Sequence, residues 1–258
     1  MKLSLNPKQF KKLILGASIL GFVLRIMLYT TGVDGRGLLR PTHWSNICLW
    51  ILTTLTAAVL ILRCRTVAGP ERFKDCHPAS LRAALGAFAA MAGIGWVTLR
   101  DFGKYTDRLN LIVLVLGLCS TAAFLCIGLC RLTGRRTHFL LHTVICVYFA
   151  LRMVSQYQLW SSDPQLQDYC FHLTSHVTLM LTAYHHGAFD AGMGSHRALW
   201  FFSLASVYLC FLSPFKTGDI WLLLGCSIWA LSNLTQLTVR QRRPRPVLNL
   251  DADVPAEE

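Results

Sequence analysis

The segment LNLIVLVLGLCSTAAFLCIGL, residues 109 to 129, carries no charged side chain. A helix needs about 20 apolar residues to cross the roughly 30 Å hydrocarbon layer of a bilayer, and this segment is long enough to do so. Other apolar segments of similar length lie on both sides of it, joined by short polar connectors. The sequence therefore predicts an all-α fold, a polytopic transmembrane bundle of about eight spanning helices.

The composition agrees with a membrane protein. Of the 258 residues, 53% are hydrophobic and only 15% are charged, against about 25% charged in an ordinary soluble domain. We predict one transmembrane domain over residues 1–240 and a basic, then acidic, disordered tail over residues 241–258. The net charge of +12 comes from basic residues between apolar spans, which predicts contact with the lipid bilayer and its anionic headgroups and no binding of nucleic acid.

Eight spans are predicted from runs of spanning length. They are Leu13–Thr31, Trp44–Leu62, Leu81–Leu99, Leu109–Leu129, His138–Trp160, Gln165–Phe189, Leu199–Phe215 and Ile220–Val239. The first run follows a basic start, as in a signal peptide, but its length and Arg25 predict a retained helix. The third is rich in Gly and Ala, which suits close packing between helices. Most Lys and Arg residues of the connectors lie on the side of the N-terminus, which predicts that both termini are cytoplasmic.

The sixth span contains FHLTSHVTLMLTAYHHGAFDAG, residues 171 to 192, with four histidines and an aspartate. At about 100° per residue, its polar side chains fall on one face of the helix. These are Asp168, His172, Ser175, His176, Thr182, His186 and Asp190. Because ionisable groups in lipid cost several kcal/mol each, this face is predicted to point into the protein.

The fifth span has a matching polar face, and only residues 161–164 separate it from the sixth, so the two should form an antiparallel hairpin. In such a hairpin, residues of the two helices that lie at the same depth in the membrane face each other. This pairing places Arg152 opposite Asp168 in a predicted outer polar cluster, and histidines opposite Asp190 in a predicted inner polar cluster. The predicted outer polar cluster comprises Arg152, Gln156, Asp168, His172, Ser175 and His176, with Arg25 of the first span at the same depth. The predicted inner polar cluster comprises His138, His142, Thr182, His186 and Asp190. Between the clusters, Phe149 and Leu179 form an apolar interruption.

Two His-x-x-x-His pairs, His138 with His142 and His172 with His176, have the spacing of metal ligands on one helix face. One site using all four is excluded, because the pairs lie about 15 Å apart along the bundle at 1.5 Å per residue. The remaining candidates for a metal are His138, His142 and His186, with Asp190 nearby. No cofactor is predicted, and a metal or haem is the alternative.

The segments YQLWSSDPQLQDY, residues 157 to 169, and AYHHGAFDAG, residues 183 to 192, resemble uncharacterised polytopic membrane proteins of bacteria. This resemblance implies a multi-pass protein of the bacterial cytoplasmic membrane. It implies no activity, and no site residue is transferred from it.

Three functions fit these patterns. Intramembrane arginines, paired carboxylates and histidines, and an apolar interruption favour translocation of a small solute or ion through a polar cavity around the fifth and sixth helices. The alternatives are a non-catalytic scaffold or subunit of a larger membrane complex, with an oligomer or complex partner, and an intramembrane metal or haem enzyme. The absence of a Walker motif, a nucleophile elbow and a glycine-rich phosphate loop favours a role other than an enzyme.

Overall fold

A computed structural model describes residues 7–34, 39–65, 79–102, 108–161, 169–213 and 218–234. Eight α-helices account for most of these residues. They are α1 (Pro7–Thr31), α2 (Trp44–Cys64), α3 (Leu81–Asp101), α4 (Arg108–Thr133), α5 (Phe139–Trp160), α6 (Cys170–Asp190), α7 (His196–Leu212) and α8 (Ile220–Leu234). The predicted all-α class is confirmed. Within the described ranges, the remaining regular pairing is an isolated bridge between Val33 and Leu39.

Five of these helices, α1 to α5, are long and apolar enough to cross a membrane, and α7 and α8 are shorter apolar helices. The large apolar side chains that remain exposed lie along these helices, for example Ile51, Leu55, Leu62, Leu99 and Leu111. Exposed leucines and isoleucines in rows are expected on surfaces that face lipid. The helices therefore present apolar outer faces and place their polar groups inward or at their ends.

The helices α3 to α8 form a closed ring, because each packs against the next in chain order and α8 packs against α3. Helices α1 and α2 pack against each other and against α7, outside the ring. Helices α3, α5 and α7 end where α4, α6 and α8 begin. We call that end of the ring the outer end, after the predicted orientation, and the opposite one the inner end.

The ring closes through a close approach of α3 and α8. A Cβ atom on Gly93 would collide with the backbone carbonyl of Trp221, and one on Gly225 would collide with the backbone carbonyl of Ala89. Glycine at such points lets helix backbones approach each other, as is common in membranes. The close packing predicted for the Gly- and Ala-rich third span is confirmed.

The helix limits differ from the predicted spans mainly at the ends. Helix α1 begins earlier and α4 extends further than predicted, whereas α7 ends at Leu212. The start predicted for the sixth span, the end predicted for the eighth and the predicted tail at 241–258 lie outside the described residues. The hydropathy pattern identifies the apolar centre of each helix. It does not show whether the polar residues at either end continue the helix or belong to a connector.

Gly93→Ala should destabilise the protein by about 1–3 kcal/mol, because the added methyl group meets backbone of α8 that has no room to move. Gly95→Ala is the matched control, since its Cβ would make only ordinary contacts, the nearest with Thr121 at 3.4 Å, and alanine favours the helix. The midpoint of thermal unfolding in detergent should fall for Gly93→Ala and stay or rise for Gly95→Ala. Equal midpoints would contradict the close approach of α3 and α8.

Candidate functional site: two charged clusters and an outer cavity

Helices α5 and α6 form the predicted antiparallel hairpin. The rings of Phe149 and His176 pack edge to face with centroids 5.9 Å apart, and the thiol of Cys146 lies 3.3 Å from the carbonyl oxygen of Met180. Both pairs join residues that the predicted hairpin register places at equal depth. The register is therefore confirmed, and it brings the polar faces of both helices together inside the ring.

At the outer end, a buried carboxylate just before α8 organises a cluster of charges. Nη2 of Arg152 donates to both carboxylate oxygens of Asp219 at 2.8 Å, and Nη2 of Arg100 donates to Oδ1 at 3.0 Å. Asp101 accepts from Nε of Arg100 at 2.9 Å and lies 3.4 Å from Nη2 of Arg152. We call these four residues the Asp219 cluster. Two guanidinium groups balance two carboxylates, which allows the charges to be buried.

The structure gives Arg152 two carboxylate partners that the sequence did not predict. Asp168, predicted to lie opposite Arg152, lies outside the described residues, and the carboxylates that contact Arg152 in the described part of the chain are Asp219 and Asp101. Neither was proposed as a site residue. Both lie at helix ends, which a hydropathy profile counts as part of the connectors, so neither was considered as a partner of a buried arginine.

The histidines His172 and His176 lie next to the Asp219 cluster. Nε2 of His172 is 3.6 Å from Oδ2 of Asp219, and the rings of His172 and His176 lie 4.5 Å apart between centroids. Both histidines are buried. Ser175, also predicted in this cluster, donates to the backbone carbonyl of His172 at 2.7 Å. The Ser175 hydroxyl therefore donates its hydrogen bond within α6.

At the inner end, the carboxylate of Asp190 joins a second buried cluster. Nη2 of Arg131 donates to Oδ1 of Asp190 at 2.9 Å, Nε2 of His142 lies 3.3 Å from Oδ2, and the Thr137 hydroxyl contacts both Oδ2 and His142. We call these four residues the Asp190 cluster. The sequence does not predict Arg131 or Thr137 as site residues, because both lie in the connector between the predicted fourth and fifth spans.

Three other residues of the predicted inner polar cluster make contacts outside the Asp190 cluster. His138 is exposed and caps α5, where its Nδ1 accepts from the backbone of Leu140 at 3.3 Å. The Thr182 hydroxyl donates to the carbonyl of Thr178, and His186 packs against Trp229 with ring centroids 4.9 Å apart. The predicted metal candidates His138, His142 and His186 therefore do not converge on one point.

An apolar layer separates the two charged clusters. Ile145, Phe149, Leu179 and Ala183 are fully buried in one hydrophobic core. His176 and Asp190 are about 21 Å apart along α6 at 1.5 Å per residue. The predicted apolar interruption by Phe149 and Leu179 corresponds to this layer, which seals the middle of the ring.

A cavity of about 240 Å³ lies beside the Asp219 cluster, between the outer ends of α3, α4 and α5. Its polar lining includes Asp101, Asn110, Arg152, Ser155 and Gln156. Along α5 the lining extends from Tyr148 to Leu159, which is about 16 Å at 1.5 Å per residue. The cavity therefore extends from the outer end toward the apolar layer.

This cavity shares only part of its lining with the predicted polar cavity around helices five and six. Arg152 and Gln156 line it, but His172, Ser175 and His176 do not. Phe149 and Leu179 are buried between α5 and α6, whereas this cavity lies on the side of α5 that faces α3 and α4. Arg25 is also not part of the lining, because its guanidinium group packs over the rings of Tyr29 and Phe171, at 5.0 and 5.2 Å.

Comparison with protein-family models, with curated proteins and with solved structures finds no match. The resemblance to bacterial polytopic membrane proteins stays a prediction.

Asp219→Asn should destabilise the protein by about 3–5 kcal/mol, because it removes the carboxylate that compensates a buried guanidinium group. Asp101→Asn is the matched control and should cost less, since the Asp101 side chain is 14% exposed and the Asp219 side chain is not exposed. Unfolding midpoints in detergent would measure both. A loss for Asp101→Asn as large as that for Asp219→Asn would show that Asp219 is not the centre of the cluster.

Proposed function

We propose that the protein is a multi-pass protein of the bacterial cytoplasmic membrane, with both termini in the cytoplasm, that binds and translocates a small solute or ion. The observation that carries this proposal is the cavity of about 240 Å³, which leads from the outer end to a charged cluster and stops at an apolar layer. A volume just below the usual 300–1,000 Å³ of ligand pockets suits a small molecule.

Two side chains that line the cavity carry buried hydrogen-bond donors. Tyr148 lines the cavity, its ring is not exposed to solvent, and its hydroxyl has no hydrogen-bond partner among the described residues. Arg152 also lines the cavity, and its Nε is likewise buried and has no hydrogen-bond partner among the described residues. Buried donors without acceptors cost about 1–3 kcal/mol each. Small rotations of these two side chains would turn the donors toward a solute that carries acceptor oxygens, so we expect a small anionic or carbonyl-containing solute.

The two charged clusters support translocation over simple binding. The Asp219 cluster lies at the outer end and the Asp190 cluster at the inner end, with the apolar layer between them. Transporters bind solute in a cavity that is open to one side and closed to the other, and they change which side is open. Such a transporter has an outward-facing and an inward-facing state, and a cavity at the outer end above an apolar layer fits the outward-facing state.

The test combines binding with flux. The purified protein in detergent would be screened by thermal shift against chloride, phosphate, small carboxylates, amino acids and simple sugars, and each stabilising solute would then be tested for uptake by proteoliposomes. We expect at least one solute to do both. Tyr148→Phe should weaken the stabilisation at least tenfold, because it removes only the hydroxyl of a side chain that lines the cavity.

Tyr157→Phe is the matched control, since Tyr157 lies on the same helix with its side chain 47% exposed and should leave binding unchanged. Absence of any stabilising solute, together with proteoliposomes no more permeable than empty ones, would contradict translocation. Co-purification of a stoichiometric membrane partner in that case would favour the scaffold function instead.

A further inference from the structure

We propose that His172, His176 and Asp219 form a binding site for one divalent transition-metal ion of the zinc class at the outer end of the ring. Their ligand atoms all lie within 4.8 Å of one another. The site uses residues of α6 and of the position just before α8. It is independent of the proposed translocation and holds whether or not the cavity binds a solute.

The distances fit a tetrahedral ion after small side-chain movements. Zinc binds imidazole nitrogen and carboxylate oxygen at about 2.0–2.2 Å, which places two ligands of a tetrahedron about 3.4 Å apart. Nε2 of His172 and Oδ2 of Asp219 are already 3.6 Å apart. His172 and His176 are one helical turn apart, the spacing that lets two imidazoles reach one metal.

The tautomer of His176 leaves a lone pair for the ion. Its Nδ1 lies 2.9 Å from the backbone carbonyl oxygen of His172, and since a carbonyl only accepts, Nδ1 carries the proton. Nε2 is then an acceptor, and this buried atom has no hydrogen-bond partner among the described residues. A metal-binding histidine is usually held in this way, with the second ring nitrogen donating to a carbonyl or carboxylate.

Asp219 keeps room for a metal ligand despite its two arginines. A carboxylate has about four acceptor positions, and Arg152 and Arg100 use three of them, two on Oδ1 and one on Oδ2. The remaining position on Oδ2 is on the oxygen nearest His172. Hydrogen bonds from Arg152 also hold the carboxylate in one orientation, as the hydrogen-bond partners of metal-ligating side chains commonly do.

The ligand types decide which ion fits. Two imidazoles and one carboxylate suit zinc, cobalt, nickel or copper, whereas calcium and magnesium need mainly oxygen ligands. Three protein ligands leave the fourth tetrahedral position to water or another small ligand. Binding would connect the start of α6 to the start of α8 and so stabilise the outer end of the ring.

The test uses the full-length protein, purified in detergent and freed of metal with a chelator. Equilibrium dialysis against Zn²⁺ with elemental analysis should give one bound ion per chain, and Co²⁺ should give the visible bands of a tetrahedral nitrogen and oxygen site. His172→Gln and His176→Gln should each weaken Zn²⁺ binding at least tenfold. His186→Gln, a change of another buried histidine on α6, is the matched control and should leave binding intact.

Three results would overturn the site. They are no bound Zn²⁺ or Co²⁺ in the wild-type protein, binding unchanged in both His172→Gln and His176→Gln, or an intense near-ultraviolet Co²⁺ band from thiolate ligands, since the chain has free cysteines elsewhere. Near-ultraviolet circular dichroism of the metal-free variants would check their fold. If a variant does not fold, the wild-type Co²⁺ spectrum still decides between imidazole and thiolate ligands.

Discussion

The carboxylate of Asp219 is fully buried and accepts hydrogen bonds from two guanidinium groups, Arg152 of α5 and Arg100 of α3. Removing a carboxylate and its partners from water costs several kcal/mol per ion, so the cluster is stable only when every charge has its partner in place. Asp219 lies just before α8, and it reaches Arg100 only because α8 packs against α3. The charged cluster and the closure of the ring therefore depend on each other.

That dependence explains which parts of the structure could be predicted from the sequence. The α5–α6 hairpin and the apolar layer follow from local information, namely helical periodicity and a short connector. The contact between Arg152 and Asp219 joins residues 67 positions apart and depends on ring closure, which no local pattern encodes. The hairpin register alone pairs Arg152 with Asp168, because that is the acidic residue it brings to the same depth.

Residues at helix ends were the main source of error. The predicted spans leave Asp101, Asp219 and Arg131 in the connectors, where only Lys and Arg enter the orientation prediction, yet each of these side chains pairs with a charge in the ring. One signal could have found the two aspartates. The chain has only 13 acidic residues, so an acidic residue directly at the end of an apolar span is a strong candidate to pair with a buried arginine.

In the proposed function, the same cluster would link a bound solute to the shape of the ring. A solute that accepts hydrogen bonds from Arg152 competes with Asp219 and Asp101 for the same guanidinium group. Such competition changes the contacts that hold α5 to α3 and to the start of α8. A ligand shifts a conformational equilibrium only through different interactions in the two states, and exchange of the partners of Arg152 supplies that difference.

The most direct test of this account is the accessibility of the cavity to water from the outer face. Gln156→Cys and Leu179→Cys would be exposed, in sealed vesicles of known orientation, to a membrane-impermeant maleimide, with each labelled position resolved by mass spectrometry so that the native cysteines do not interfere. The account predicts labelling of the residue at position 156 from the outer face and none at position 179, within the apolar layer. Absence of labelling at 156, or labelling at 179 as fast as at 156, would contradict an outer cavity sealed by the apolar layer.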